Sequence, residues 1–240
     1  MNMDTEKTTF YDHYSKDKHT RFGGWLAAGV TKNIFDFAQI SQECSVLEIG
    51  PGRGAFADIC LNKGIDYWAI EPNEQMADNL QKRGINVKRN VVPPVPEMGR
   101  TFDVVVMNSV LEHMDTMMSA LALAKDVYKL LNPGGRFVIY VPDYANWRHH
   151  FFIGDFSHNY ITTWRRLEGL LISAGFEKIN GRYQCTIFSG ALGYIISTLA
   201  SWLPFGWLDA MFPKSKLLHK LYKLQITFLR RVLILGQKPD

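Results

Sequence analysis

Residues 45–62 hold a short apolar run that breaks into three closely spaced glycines and resumes as a helical pattern: Ser45-Val-Leu-Glu-Ile-Gly50-Pro-Gly-Arg-Gly54, then Ala55 onward. A strand, a tight turn and a helix in that order are the start of a parallel crossover unit. Glycines at such a turn supply positive φ and let a ligand approach the backbone closely. The loop by itself does not choose the ligand. Gly50-x-Gly52-x-x-Ala55 also fits the dinucleotide fingerprint, whose last position accepts alanine.

The alternation continues along the chain. Arg21 to Ile40 reads as a helix, with Trp25, Leu26, Val30, Ile34 and Phe37 near helical spacing. After Ser45–Gly50 and the helix Ala55–Lys63, a second strand spans Asp66–Glu71. Asn73 is placed to cap the next helix, which Gly84 ends. Ile85–Arg89 reads as a third strand and Phe102–Met107 as a fourth, and the proline-rich link 90–101 leaves no room for a helix. A long helix over Thr116–Leu131 stops at Asn132-Pro-Gly-Gly135, before a fifth strand Arg136–Val141. Thr163–Ala174 is a helix, Phe176–Tyr183 a sixth strand and Phe228–Gly236 a last one. Strands alternating with helices predict a mostly parallel sheet covered on both faces. In such sheets ligands bind beyond the carboxyl ends of the strands, at the point where strand order reverses.

Two acids narrow the ligand. Glu71 ends the second strand, 17 residues past Gly54, where a carboxylate accepts both hydroxyls of a ribose. Glu48 lies two residues before Gly50. A carboxylate facing the crevice there repels a pyrophosphate and suits a cationic sulfonium and ammonium. A surface acid on a strand end is the alternative reading of Glu48.

Four segments together resemble the class I S-adenosylmethionine (SAM)-dependent methyltransferases. They are Val46-Leu-Glu-Ile-Gly-Pro-Gly-Arg-Gly54, Ile70-Glu-Pro-Asn-Glu-Gln-Met76, Phe102-Asp-Val-Val-Val-Met-Asn-Ser-Val-Leu-Glu-His113 and Leu131-Asn-Pro-Gly-Gly135. Ubiquinone-type and sugar-type small-molecule methyltransferases are the closest in flavour. The resemblance implies a Rossmann-like α/β fold with a seven-stranded, mostly parallel sheet whose last strand returns antiparallel. It implies SAM as cofactor and S-adenosylhomocysteine as product. Glu48, Gly50, Pro51, Gly52 and Gly54 would then shape the methionine and ribose pocket. Glu71 would hold the ribose, Pro72 and Met76 would flank the adenine, and Asn108, Ser109 and Leu111 would line the methionyl side. Many members carry an acid after the third strand; Asn90 stands there in this chain.

Acceptor-side residues belong in loops above the sheet. Pro142–Tyr160 follows the fifth strand and is rich in aromatics, histidines and acids. Ser157-His-Asn-Tyr-Ile-Thr162 resembles a histidine-led segment of related methyltransferases, which makes His158 the first candidate for a base or substrate contact; a helix-capping histidine is the equal alternative. His113, after the fourth strand, is a second candidate, with a local helix-start role as the alternative. His149 and His150 are weaker candidates, being adjacent and facing different ways. Tyr11 and Tyr14 are candidates for closing over the cofactor, or part of a frayed end. No set of histidines and acids shows metal-ligand spacing, so no metal is expected.

The three cysteines, Cys44, Cys60 and Cys185, form no CxxC pair, which suggests neither a zinc site nor a disulfide framework. Net charge is +4 but uneven: residues 181–240 hold eight Lys/Arg against two acids. A basic surface confined to one quarter of the chain argues against nucleic acid as partner. From Cys185 to Leu208 no charged residue occurs, and Lys214–Leu224 follows as a basic amphipathic helix. Gly190, Gly193, Pro204 and Gly206 interrupt the apolar run, which argues against a membrane span. A lid or dimer surface is one reading of 185–224, and peripheral contact with an anionic membrane the other. The polar N-terminus has no apolar h-region of a signal peptide. The cytoplasm is the expected compartment, with the inner face of a membrane as the variant.

The expected organisation is a helical lead-in over 1–40, a SAM-binding core over 41–183, an apolar and basic helical insertion over 184–226 and a final core strand over 227–240. The expected activity is methyl transfer to a small molecule, to oxygen before nitrogen or carbon, with a glycan- or lipid-linked acceptor in view. A non-catalytic SAM-binding scaffold and an NAD(P)-dependent oxidoreductase are the rivals; Glu48 and the lack of a separate catalytic domain argue against the second.

Overall fold

The computed structural model describes residues 20–240. Tyr11 and Tyr14 lie outside the described residues. One sheet organises the molecule, in the order β3-β2-β1-β4-β5-β8-β6-β7. Strands β1 (Ser45–Ile49), β2 (Asp66–Ile70), β3 (Asn86–Lys88), β4 (Phe102–Asn108) and β5 (Leu131–Pro142) run parallel to one another. β8 (Arg231–Gln237) returns antiparallel between β5 and β6 (Glu177–Cys185). Beyond the seven expected strands there is an eighth, β7 (Phe188–Ser189), which closes a short hairpin on the end of β6.

Every residue of β1 is buried, because helices cover both sheet faces. Alternation divides the strand between two cores. Val46 packs with α1 (Arg21–Phe37) and α2 (Ala55–Asn62) through Ile34, Phe35 and Phe56. Leu47 and Ile49 belong to the other core, filled by Leu123 of α4 (Met117–Leu130) and by Leu167 and Leu171 of α7 (Trp164–Ala174). Between α2 and α4 in the chain lies α3 (Glu74–Gln81), on the first face.

Side-chain caps set the helix starts. Asn73 Oδ1 accepts from Met76 N–H at 3.0 Å at the head of α3. Thr116 and Ser119 cap α4 reciprocally, each side chain accepting the other's backbone N–H at 3.0 and 2.9 Å. Gly175, at φ 99°, ends α7 in the left-handed conformation.

Two boundaries differ from the sequence expectation. Asn132-Pro-Gly-Gly135 does not stand between α4 and β5 as a separate turn. It lies inside β5 as an irregularity, since Phe102 pairs with Leu131 and Val104 already pairs with Arg136. The last strand starts at Arg231, because the helix before it runs on to Thr227.

After β5 come two single-turn helices, α5 (Tyr144–Trp147) and α6 (His150–Ile153). The insertion after β7 is α8 (Gly190–Trp202), α9 (Phe205–Met211) and α10 (Lys216–Thr227). Buried polar bonds fix it to the core. Gln225 of α10 donates to the carbonyls of Ala200 and Leu203, at 3.0 and 2.7 Å, and so caps the end of α8. Asn146 of α5 donates to Ser197 O at 3.2 Å and accepts from Arg230 N–H at 2.8 Å.

Candidate active site

Strand order reverses between β1 and β4, so the crevice beyond their carboxyl ends is where a ligand belongs. The β1–α2 loop lies there. Gly50, Gly52 and Gly54 have φ of 72°, 55° and 79°. Gly50 meets a tight neighbour: a Cβ on it would stand 2.5 Å from Val110 Cγ2. At Gly52 the nearest atom would be Met76 Sδ, at 4.0 Å, so the backbone there faces open room. Pro51, between the first two glycines, is buried.

Glu71 ties this loop to the start of α3. One carboxylate oxygen accepts from Gly52 N–H and the other from Asn73 N–H, both at 2.9 Å. Burial pushes the Glu71 carboxyl above its usual range, and the two N–H bonds oppose that shift. Pro72 is half-buried beside it and Met76 is buried behind the loop.

Glu48 is not in the open crevice. It shares the face of β1 that carries Val46, is 1% exposed and accepts the Tyr67 hydroxyl's hydrogen bond. Burial pushes its carboxyl up to about 8. The strand's alternation sends the side chain under α2, so the structure gives it a partner inside the core and no exposed ligand-facing edge. Leu111 is likewise a core residue, 0% exposed in the cluster with Leu47 and Leu123. Val110, one position earlier, is the side chain that reaches the glycine loop. Asn90 uses its amide within its own loop, donating to Val91 O and Pro94 O at 2.6 and 3.0 Å.

Asn108 ends β4, and Ser109 turns the chain with φ 57°, an uncommon conformation for a residue with a Cβ. Ser109 N–H donates to Tyr140 O at 2.8 Å, and Arg231 Nη1 donates to Ser109 Oγ at 3.0 Å. The sequence reading missed Arg231; the adjacent pair Arg230-Arg231 at the head of the last strand is a weak signal that does not say which of the two faces the crevice.

Beyond Ser109, the 3-10 turn Leu111–His113 faces the loop before α7. Asn159 and Tyr160 N–H groups both donate to Glu112 O at 3.0 Å. This pins the loop so that His158 and His113 lie with ring centroids 4.9 Å apart. His158 Nδ1 bonds Phe151 O at 2.7 Å, and burial lowers its pKa. His113 Nδ1 bonds Ser157 Oγ at 2.9 Å. Glu112 is 1% exposed, and burial pushes its carboxyl up to about 7. The sequence showed no metal-ligand spacing, yet one ligand-type atom of each of Glu112, His113 and His158 lies within 4.8 Å of the others. His149 and His150 stand apart, their rings tilted on each other with centroids 4.0 Å apart, against Trp207 and Tyr222 of the insertion. A depression of about 310 Å³ lined by Ser41, Cys44, Asp103 and Arg136 lies at the opposite, amino-terminal edge of the parallel strands.

Residues 11–180 match the family model described as a methyltransferase domain. The chain belongs to the methyltransferase-domain family. A curated relative from Encephalitozoon cuniculi, named provisionally as a methyltransferase, is 28% identical over 133 residues, or 55% of this chain and 60% of that protein. The chain therefore matches less than two thirds of that relative's length. Among solved structures, a SAM-dependent methyltransferase from Archaeoglobus fulgidus superposes with TM-score 0.61 at 20% identity, covering 88% of this chain and 94% of that one. A Haemonchus contortus phosphoethanolamine N-methyltransferase, solved with phosphomonomethylethanolamine and S-adenosylhomocysteine, superposes with TM-score 0.62 at 15% identity, over 88% and 52%. The [4+2]-cyclase SpnF shares the fold as well, with TM-score 0.59 at 13% identity over 88% and 80%, so the shape alone does not specify the reaction.

The Rossmann-like methyltransferase fold expected from the motifs is thus the fold of this chain, and SAM is the cofactor of the family. The residues fit it. The room in front of Gly52 suits close backbone approach, and the paired Glu71 oxygens sit at the end of β2, where a ribose belongs.

Proposed function

We propose that this methyltransferase domain transfers a methyl group from SAM to an oxygen of a small molecule, glycan- or lipid-linked, at a membrane surface. SAM supplies a sulfonium-bound methyl that is already activated for nucleophilic displacement. Glu71 holds the ribose hydroxyls, Gly52 leaves the backbone open to the ligand, and Ser109 and Asn108 border the methionyl end. The acceptor oxygen approaches from the side of Glu112, His113 and His158, forms the new C–O bond as the S–C bond breaks, and its hydroxyl proton leaves to solvent on that side of the crevice. Positioning and exclusion of water are the main work left to the protein.

The observation that carries the acceptor reading is the insertion's uncovered apolar face. Leu192, Ile195, Leu199, Trp202, Trp207 and Phe212 are between 54% and 70% exposed. Single exposed apolar residues are ordinary, but a run of this kind marks a binding surface. Gly190–Met211 is long and apolar enough to cross a membrane by composition. The chain bends at Leu203–Pro204, however, and α8 has 13 residues. At about 1.5 Å per residue α8 falls short of the ~30 Å hydrocarbon core. The geometry suits helices lying in the interface, beside the exposed Lys214, Lys216, Lys220 and Lys223. A cytoplasmic protein held at the inner face of a membrane is the corresponding location.

Two measurements test this. Calorimetric titration with SAM, S-adenosylhomocysteine and NAD(P)H should show micromolar binding of the two sulfur ligands alone; binding of the nicotinamide nucleotide instead would overturn the reading. Co-flotation with vesicles containing anionic lipid should be strong and should drop when the four lysines are neutralised. An intact protein that leaves such vesicles untouched sinks the membrane part.

A further inference from the structure

We propose that Glu112, His113 and His158 form a binding site for one divalent transition-metal ion. Three observations carry this.

The first is proximity. A carboxylate oxygen and one nitrogen of each ring lie within 4.8 Å of one another. Small side-chain adjustments bring ligand atoms from that span to the separations of a common ion at about 2.0–2.2 Å from each. The residues come from two segments, the 3-10 turn and the loop before α7. The backbone bonds from Asn159 and Tyr160 to Glu112 O lock these together.

The second is the state of the rings. The Ser157 hydroxyl donates to Asp155 Oδ1 at 2.6 Å, so towards His113 it acts as acceptor, and His113 Nδ1 carries the proton. The carbonyl of Phe151 can only accept, so His158 Nδ1 carries a proton as well. These bonds assign both tautomers and leave the lone pair on Nε2 of each ring. Metal-bound histidines are held this way, with the far ring N–H given to a carbonyl or a carboxylate-backed partner.

The third is an unmet demand. Glu112 Oε2 is fully buried and has no hydrogen-bond partner among the described residues. A buried carboxylate oxygen left so is costly, and a cation in the cluster answers it.

Two imidazoles and one carboxylate suit zinc, iron(II), cobalt(II) or manganese(II) more than magnesium, which prefers an all-oxygen shell. Three protein ligands leave positions open to water or to an acceptor oxygen. An ion there lowers the pKa of a bound hydroxyl, whose proton then passes to solvent. That use of the ion rests on the proposed methyl transfer. The binding itself does not, and the test reads binding alone.

Cobalt(II) is the probe. Tag-free protein, stripped with chelator, is titrated with cobalt chloride while its visible d–d absorption is followed. One equivalent per chain should bind saturably, with a rise in thermal midpoint, and excess zinc should bleach the spectrum. Glu112→Gln and His158→Ala should each weaken cobalt binding at least tenfold. Should either fail to fold, His113→Ala, at a half-exposed position, serves in its place, with S-adenosylhomocysteine binding as the check on folding. No saturable spectrum in the parent protein, or an unchanged one in the folded variants, overturns the proposal. Loss of cofactor binding in a protein that still takes up cobalt counts against the methyltransferase reading and leaves the metal site standing.

Discussion

Arg231, the first residue of β8, donates to the hydroxyl of Ser109, the residue that turns the chain out of β4, at 3.0 Å across 122 positions of sequence. The bond ties the rim of the crevice to the strand that returns from the insertion. Ser109 pays for it with a left-handed backbone at φ 57°. Two substitutions separate these effects. Ser109→Ala loses the hydrogen bond and keeps the backbone penalty, whereas Ser109→Gly loses the bond and relieves the backbone. The Gly variant should exceed the Ala variant in urea stability by about 0.5–1 kcal/mol. Equal stabilities would show that the turn is not strained.

Glu71 links two jobs through one carboxylate. Glu71→Ala should weaken S-adenosylhomocysteine binding by roughly 10- to 100-fold, the equivalent of about 1.5–3 kcal/mol for hydrogen bonds to a charged group. Glu71→Gln retains one acceptor oxygen and should fall between. Calorimetry measures both, and undiminished affinity in Glu71→Ala removes the ribose role.

Glu48 gives the stability a pH signature. Burial holds its carboxyl protonated up to about 8, against the usual 4.5. The folded chain thus keeps a proton that the unfolded chain releases between these values, and this group's contribution to stability falls as pH rises through that window. Glu48→Gln keeps a partner for the Tyr67 hydroxyl and removes the titration. Its stability relative to the parent should climb from about pH 4.5 to pH 8, by at most about 1.4 kcal/mol per pH unit. Denaturant midpoints across that range check it, and a pH-independent difference would refute it.

Gly206 seats α9 on the core. A Cβ there would lie 2.7 Å from His150 Cε1 and 3.1 Å from Tyr222 Cε2, both on buried residues. Gly206→Ala should destabilise the protein by about 1–3 kcal/mol through overpacking. Limited proteolysis should then cut first between residues 186 and 230; cleavage unchanged in rate and place would show that the insertion tolerates the methyl.

The cofactor half was readable in the sequence because its parts are close along the chain. Gly50 to Gly54, Glu71 and Asn73 lie within 24 residues, and strand–turn–helix punctuation places each of them. Side-chain facing was harder. Glu48 looked like a crevice residue until the register set it against Ala69, with Val46 against Tyr67, on the face covered by α2. Leu111 and Val110 exchange roles because a three-residue turn has no period to read. The Glu112–His113–His158 cluster was not legible, since 45 positions separate His113 from His158 and the bonds that close that distance, two backbone N–H groups to Glu112 O and His113 Nδ1 with Ser157 Oγ, leave no mark in the sequence. Arg231 was missed for the same reason, its partner being far away in the chain.

The register of β6 with β8 has a bearing on how such a protein diversifies. Gln184 pairs directly with Arg231, so the chain leaves for the insertion and comes back at neighbouring points of adjacent strands. Paired Cα atoms of antiparallel strands are about 5 Å apart. Residues 186–230 therefore leave and rejoin the sheet at two adjacent points, so a change in their length keeps the hydrogen-bond ladder in register, and what such a change must preserve are the bonds of Asn146 to Ser197 O and Arg230 N–H. Under the proposed function, chimeras that carry a foreign segment between Cys185 and Arg231 and keep those bonds are expected to change which acceptor is reached and to keep the same methyl donor.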